Sequence, residues 1–176
     1  MKILLASLLL LAACTAPVAP PLPAAADPFA ACREGAAAGA PVYRIDPTES
    51  MITVVVRSGG PFARMGHDHA IAARNISGYA APAQGFAAFG FRRDEMTVDE
   101  PAVRALAGLP GIVPADAIAG TRANMLGRVL EADRYPLVQL RARQPAGAAG
   151  VMRLAVTLHG VTRSVDVPTS LDVKPA

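Results

Sequence analysis

The segment LVQLRAR, from Leu137 to Arg143, alternates apolar and polar residues without a break. In an extended chain, Val138, Leu140 and Ala142 fall on one side, and the polar residues between them fall on the other. A helix does not produce a period of two, so this segment predicts a strand with one face in the core and one in solvent. Strands of this kind belong to antiparallel sheets, which sets the expected fold class.

Other segments beyond residue 41 repeat this style. Short strands are predicted in VYRID, MITVVVRS, AIAARNISGYA, GFAAFGFRRDEMTVD, VMRLAVTLH and VTRSVDVPTSLDV. We expect the third of these to be a single weak strand that ends near Gly78. The fourth is expected to bulge or bend at Gly90, and Pro168 is expected at a sheet edge or a bend, because proline cannot donate to a ladder.

Two segments in the middle, PAVRALAGLPG and PADAIAGTRANMLGRVLEA, have helical spacing instead. Pro101 and Pro114 stand where a first helical turn tolerates proline. The chain is therefore predicted to form a mainly β domain over residues 42–176, with seven or eight largely antiparallel strands and short helices inserted midway. A barrel or a sandwich is expected, and about eight strands close into a barrel that holds one small ligand.

The N-terminus has the pattern of a secretory signal. One lysine is followed by the apolar run Ile3–Leu11, which is too short to span a bilayer as a helix. The run ends in LAAC, which resembles the lipobox of bacterial lipoproteins. We therefore predict a signal peptide over residues 1–13, lipidation of Cys14 and, because Thr15 rather than aspartate follows, an outer-membrane anchor facing the periplasm. Cleavage before Asp27, which would release a soluble periplasmic protein, is the alternative.

Residues 14–41 are rich in proline, alanine and glycine, which is typical of a tether between membrane and domain. A local helix around Phe29–Ala38 is compatible with this composition. Cys32 lies in this stretch and is expected to be an exposed thiol that could pair between chains. No cysteine follows it, so the domain cannot contain an internal disulfide.

Composition and motifs argue against two classes of function. The net charge is only +3, and lysine and arginine form no block, so nucleic-acid binding is not expected. The chain lacks Gly-x-Ser-x-Gly, His-Glu-x-x-His and nucleotide-loop motifs, so an enzyme is not expected either. The acidic residues of RRDEMTVDE are expected on a charged outer face.

Three passages carry a resemblance to a known family. VYRIDPTESMITVVVR is similar to an opening strand pair, TRANMLGRVLEADRYPLVQLRA to a helix that ends in Tyr-Pro before a strand, and LAVTLHGVTRSVDVP to a Leu-Thr-Leu-His-Gly-Val-Thr-Lys segment. In order and spacing these passages resemble the YceI-like, polyisoprenoid-binding, lipocalin-like family over Val42 to Val173. TRANM stands where that family commonly has an Arg-Asp pair.

The resemblance implies a lipocalin-like antiparallel β-barrel with an apolar interior, in a secreted or periplasmic protein. It also implies an isoprenoid-type lipid or a quinone tail as ligand, for which an apolar tunnel suffices because burial of apolar surface supplies the free energy. No other cofactor is expected. The candidate lining residues are Val54, Val56, Phe89, Phe91, Met125, Leu126, Leu130, Leu140, Leu154 and Val156, any of which could instead be packed core.

The segment GHDH contains His67 and His69, two of the three histidines. If it is extended, both histidines face one side and Asp68 the other. With His159 they could form a three-histidine metal site, which is the alternative function. They could equally form a polar rim, with Arg64 and Asp68, for the head group of a lipid. The third interpretation is a solvated loop with local hydrogen bonds.

Overall fold

A computed structural model of the protein describes residues 29–61 and 66–172. The predicted signal peptide, the Cys14 lipidation site and the first half of the tether lie outside the described residues. The strands of the described part are β1 Tyr43–Arg44, β2 Ile52–Val56, β3 His69–Ala73, β4 Ser77–Ala81, β5 Phe86–Arg92, β6 Thr97–Val98, β7 Leu137–Arg143, β8 Val151–Leu158 and β9 Val161–Pro168. The helices are α1 Ala30–Ala37, α2 Pro101–Leu106 and α3 Ala115–Asn124, with a 3-10 turn at Pro82–Gln84 and a π-helical turn at Met125–Val129.

The strands form two antiparallel sheets. The larger has the order β1-β4-β5-β7-β8-β9, and the smaller has the order β2-β3-β6. The predicted mainly β, antiparallel class with short helices midway is therefore confirmed. Within the described residues, no ladder joins the two sheets into a closed barrel.

Two strand predictions were wrong at their boundaries. The segment expected to be one weak strand is two, β3 and β4, which belong to different sheets. The segment expected to bend at Gly90 runs straight through it, because β5 pairs with β7 along its whole length. The break comes after Arg92, where a turn closed by the Met96 amide on the Arg93 carbonyl, at 3.1 Å, leads to β6 in the smaller sheet.

The alternation in β7 is confirmed, because Val138, Leu140 and Ala142 are buried. β8 and β9 follow as a hairpin whose two turn residues, His159 and Gly160, have φ angles of 55° and 71°. Positive φ at both positions gives the twist that a two-residue hairpin needs. β9 is the edge strand of its sheet and ends at Pro168, as predicted.

One apolar cluster lies against both sheets. Ile71 and Ala73 come from β3, while Phe91, Val138 and Leu140 come from the larger sheet. We call the sheet faces that carry these residues the inner faces. Met125, in the π-helical turn after α3, completes the cluster. The other face of β3 is covered by α2.

Part of the predicted tether belongs to the folded domain. α1 packs against β4, where the rings of Phe29 and Tyr79 lie 5.6 Å apart in an edge-to-face arrangement. Cys32 in this helix is only 1% exposed, so the expected exposed thiol is wrong. Burial raises its pKa, which further reduces its reactivity. No helix among the described residues is long and apolar enough to cross a membrane.

Replacement of Gly78 by alanine tests the register of β4 on β5. A Cβ at this position would lie 2.3 Å from the Ala88 carbonyl oxygen and 2.5 Å from Phe89 Cα. Because both are strand atoms, Gly78→Ala should lower the free energy of unfolding by about 1–3 kcal/mol. Gly120→Ala in α3, where nothing lies within 4 Å, should raise it by up to ~1 kcal/mol. Chemical denaturation followed by circular dichroism measures both, and equal stabilities would contradict the register.

Candidate functional site

The structure brings most of the predicted lining residues together. Phe91, Met125 and Leu140 are buried in the apolar cluster. Five further lining residues are half-buried and pack against it: Phe89, Leu126, Leu130, Leu154 and Val156. The predicted lining is therefore a contiguous apolar surface, of which three members are enclosed as core and five keep an open side.

Val54 and Val56 belong to the same inner face but lie at its edge. In β2 they pair with Ile71 and His69, so they face the side of the apolar cluster. They are nevertheless 48% and 43% exposed. The opposite edge repeats this arrangement, since Val165 of β9 faces the same side as Leu154 and is 54% exposed. Apolar side chains on the inner faces are thus left without cover at two edge strands, β2 and β9.

An apolar cleft opens at one end of the larger sheet's inner face. Its volume is about 520 Å³, which lies within the range of small-molecule sites, roughly 300–1,000 Å³. Phe89, Ala87 and Met152 contribute to its walls, and Gln144 and Thr169 are its polar side chains. Phe89 also packs against the apolar cluster, so the cleft is continuous with the predicted lining surface.

Arg93 lies beyond the opposite end of β5. Alternation places it on the same face as Phe89 and Phe91, and the hydrogen bond from its amide to the Pro136 carbonyl, at 2.9 Å, extends the pairing of β5 with β7. The residue is 0% exposed. Its Nη1 donates to the Leu130 carbonyl at 2.5 Å, whereas Nε and Nη2 have no hydrogen-bond partner among the described residues. Desolvation lowers the pKa of this guanidinium.

An aromatic pair lies beside this arginine. The Tyr135 ring centre is 6.0 Å from Arg93 Cζ and 4.7 Å from the centre of the His159 ring. His159 Nε2 donates to the Leu130 carbonyl oxygen at 2.6 Å, the same oxygen that Arg93 uses. The third histidine therefore belongs to the Arg93 end of the inner face.

His69 belongs to a buried ion cluster formed by His69, Asp99 and Arg104. The Asp99 carboxylate lies 2.5 Å from His69 Nδ1 and 2.7 Å from Arg104 Nη1, and it also accepts the Ala70 amide at 2.9 Å. Because Asp99 is held as a carboxylate, Nδ1 of His69 is the donor in this contact, and Nε2 on the other side of the ring lies 3.3 Å from the Thr121 hydroxyl. The cluster ties the start of β3 to α2.

The electrostatics of Asp99 explain how a carboxylate can be fully buried. Desolvation by itself would raise its pKa, but hydrogen bonds from His69, from the Ala70 amide and from Arg104 outweigh it, so the pKa lies below the ordinary value. Asp99 also has a φ of 56°, in the left-handed region that aspartate and asparagine tolerate better than most residues.

Within the described residues, the side chains of the predicted polar rim around GHDH contact other residues of the chain. Asp68 accepts the Ser58 amide, Arg57 and the Ser58 hydroxyl at 2.8–3.0 Å, and these bonds lower its pKa to about 2. His67 is exposed, with its ring centre 6.3 Å from that of His69. Arg64 lies outside the described residues.

The three histidines do not meet. Their contacts fall in two places, His67 with His69 beside Asp99, and His159 beside Tyr135. Within residues 29–61 and 66–172, no group of three or more histidine, cysteine or acidic side chains is placed to hold a metal ion. The predicted three-histidine arrangement is thus not assembled.

Sequence reasoning overlooked the charged residues that the fold buries. Asp99 was expected on a charged outer face with its acidic neighbours, and this was wrong for Asp99, because β6 pairs with β3 and turns it toward His69. Arg104 was not considered. The sequence does contain a signal for the burial of Arg93. Phe89, Phe91 and Arg93 are in phase along the predicted strand, so one of the two consecutive arginines must face inward.

Comparison with models of known protein families finds no match to this chain, and a search of curated proteins likewise finds none.

Asp99→Asn tests the ion cluster. Asparagine keeps the left-handed backbone but removes the charge, which leaves Arg104 buried without a carboxylate. We expect the free energy of unfolding to fall by about 3 kcal/mol. Asp166→Asn breaks the exposed Arg153–Asp166 pair and should cost much less stability, because solvent screens an exposed ion pair. Urea unfolding at neutral pH compares the two, and a loss at Asp99 no greater than at Asp166 would contradict a structural role for the cluster.

The lowered pKa of Asp99 also predicts acid sensitivity. The unfolded state binds this proton more readily than the folded state, so the stabilisation is fully present above about pH 4, the unfolded pKa. It is lost as pH falls through the lower, folded pKa. The difference in unfolding free energy between wild type and Asp99→Asn should therefore shrink below about pH 4, and a difference that stays constant with pH would show that Asp99 is not the titrating group.

Proposed function

We propose that this domain binds an apolar, isoprenoid-type or quinone-like ligand and sequesters or carries it in the bacterial envelope. The observation that carries the proposal is the apolar cleft of about 520 Å³ beside Phe89 and Met152, which continues into the half-buried part of the lining surface. Each 100 Å² of hydrocarbon covered there contributes about 2.5 kcal/mol. Binding of a hydrocarbon chain needs no polar contact in addition.

The uncovered apolar edges support the same ligand class. Val54 at one edge and Val165 at the other face inward yet remain about half exposed. Exposed apolar surface of this kind commonly marks a place where another apolar surface is bound. We propose that a ligand tail covers these edges in the bound state.

The proposed architecture is a lipocalin-like barrel of the YceI-like type. The edge strands are β1 and β9 in the larger sheet and β2 and β6 in the smaller, so a closed barrel around the apolar cluster needs two further ladders, one of which would join β2 to β9. Full closure removes exposed strand edges, which otherwise invite aggregation. The sequence resemblance over Val42 to Val173 favours the same arrangement.

We propose that the domain works at the periplasmic side of the outer membrane, attached through lipidated Cys14. The support is the LAAC motif that follows an apolar run near the N-terminus. The proposed activity is binding without catalysis, because release of a hydrocarbon tail from water supplies the free energy and no bond has to change.

The binding proposal predicts that a side chain that fills the cleft weakens ligand binding. Ala87 lines the cleft, and Ala87→Phe would occupy part of it. Affinity for geranylgeraniol, measured by displacement of a fluorescent apolar probe, should fall about tenfold, since loss of some 50 Å² of apolar contact corresponds to about that factor. Ala146→Phe, the same change in the exposed β7–β8 loop, is the control and should bind like wild type.

Two outcomes would contradict the proposal. One is wild-type protein that does not bind geranylgeraniol at all. The other is Ala87→Phe protein that is folded and binds as tightly as the control. Native mass spectrometry of wild type purified without strong detergent gives an independent measurement, and the expected result is a bound lipid that solvent extraction recovers.

A further inference from the structure

The segment around the end of α2 places apolar side chains in solvent. Leu106 is 76% exposed and Ile112 is 98% exposed, which are the two highest values among the large apolar side chains of the described residues. Every exposed residue from 101 to 115 is alanine, glycine, proline, leucine or isoleucine. The one polar side chain in this range, Arg104, is buried in the ion cluster. The usual distribution is thus inverted, because the charge faces inward and the apolar side chains face outward.

Residues 105–115, which we call the apolar tip, are packed against the domain by other side chains of the same segment. Leu109 and Val113 are only 5% and 7% exposed. Leu109 joins Val103 of α2 in a second group of buried apolar residues, together with alanines of β3. Buried and exposed apolar side chains therefore alternate along the tip, so the exposed pair is presented by a loop that is itself anchored in the fold.

The backbone of the apolar tip uses its polar groups within the chain. The amides of residues 107–109 donate to carbonyl oxygens of α2 at 2.9–3.1 Å. The Pro110 carbonyl accepts from Arg104 Nη2 at 3.2 Å, and neither Pro110 nor Pro114 carries an amide hydrogen. Backbone groups that meet hydrocarbon must be satisfied internally, because lipid offers no hydrogen bonds. The tip thus combines apolar side chains with a backbone that is compatible with lipid.

The apolar tip lies at the same end of the strands as the cleft. Residues 74–76 join β3 to β4, and residues 93–96 join β5 to β6, so these two short connections mark one end. The cleft opens at the other end, where β4 finishes and β5 begins. Ile112 lies at that end too, since it lines a hollow with His67, which belongs to the connection from β2 to β3. A surface that covers the tip would therefore face the cleft end of the domain.

The chemistry of the apolar tip favours a lipid bilayer over a protein as the covering surface. Protein interfaces carry a polar rim and about one hydrogen bond per 100–200 Å². The side chains of residues 105–115 include no hydrogen-bonding group and no charge. The next charge along the chain is the carboxylate of Asp116, so attraction to anionic lipid is not expected. Hydrocarbon is a surface that requires neither hydrogen bonds nor charge, and exposed apolar surface can mark membrane contact.

We propose that the apolar tip inserts Leu106 and Ile112 into the surface of a phospholipid bilayer, where the domain takes up or releases its apolar ligand. A lipid anchor at Cys14 would keep the domain near a membrane, whereas the tip would orient the cleft end toward it. The bilayer contact does not depend on what the cleft binds. The transfer of ligand rests on the proposed function.

The bilayer contact is tested with tryptophan as a reporter, because the chain contains none. Ile112→Trp keeps the tip apolar. Val129→Trp is the matched control, since Val129 is a 58% exposed apolar residue beside Leu130, at the Arg93 end. Each full-length protein is mixed with phosphatidylcholine vesicles whose acyl chains carry bromine. We expect the emission of Ile112→Trp to move to shorter wavelength and to be quenched, at low and high salt alike, and that of Val129→Trp to stay unchanged.

The double variant Leu106→Ser/Ile112→Ser tests the transfer of ligand. Uptake of geranylgeraniol from phosphatidylcholine vesicles should be about tenfold slower than in wild type, because two apolar side chains no longer contribute to the bilayer contact. Affinity for geranylgeraniol supplied without vesicles should not change, since neither side chain lines the cleft. Both positions are exposed, so the variant should unfold at the same urea concentration as wild type.

The outcomes separate this inference from the proposed function. The bilayer contact is overturned if vesicles leave the emission of Ile112→Trp unchanged, or if they change that of Val129→Trp equally. A shift that appears in concentrated protein without lipid would assign the tip to contact between two copies and would also overturn it. Equal uptake by wild type and the double variant would overturn the role in transfer. If no protein binds geranylgeraniol while Ile112→Trp still responds to vesicles, the proposed function fails and the bilayer contact stands.

Discussion

The apolar cluster shared by the inner faces of the two sheets is the contact on which the rest of the structure depends. No ladder joins the sheets within the described residues, so Ile71 and Ala73 of β3 meet Phe91 and Leu140 through side chains rather than backbone hydrogen bonds. Burial of apolar surface is not directional. It can therefore hold two sheets together although the outer sides of edge strands such as β2 and β9 pair with no other strand in the described residues.

Because its residues are small, β3 can pack against other elements on both of its faces. Ile71 and Ala73 face the inner cluster, while Ala70 and Ala72 face Val103 of α2. Alanine on the outer side allows the helix to lie close to the strand. The helix also provides Arg104, so the packing that covers β3 is the same packing that completes the ion cluster around Asp99.

The two buried arginines, Arg93 and Arg104, differ in the partners that the fold gives to their charges. Arg104 meets a carboxylate and two carbonyls, and this arrangement is complete within the chain apart from one nitrogen. Arg93 meets one carbonyl and the Tyr135 ring, and its Nε and Nη2 find no hydrogen-bond acceptor in the part of the chain that the structure describes. Since an unpaired buried charge is costly, the first arrangement compensates the burial of its charge, whereas the second costs stability.

The sequence alone determined the class of the fold and much of the inner face. The period of two in β7 predicted Val138, Leu140 and Ala142 as core, and the structure buries all three. The same period, applied to the two consecutive arginines after Phe91, would have placed Arg93 inward. Local patterns can do this because the direction of a strand side chain depends only on its own backbone.

Only the tertiary structure decided which buried charges have partners. Asp99 meets His69, 30 positions away, because β6 pairs with β3, and no local pattern contains that pairing. The same holds for the two sheets, whose membership depends on long-range ladders, and for Val54 and Val56, which have a core-like pattern but lie on an unpaired edge. Periodicity determines which way a side chain points, whereas the partner it finds there depends on contacts between distant segments.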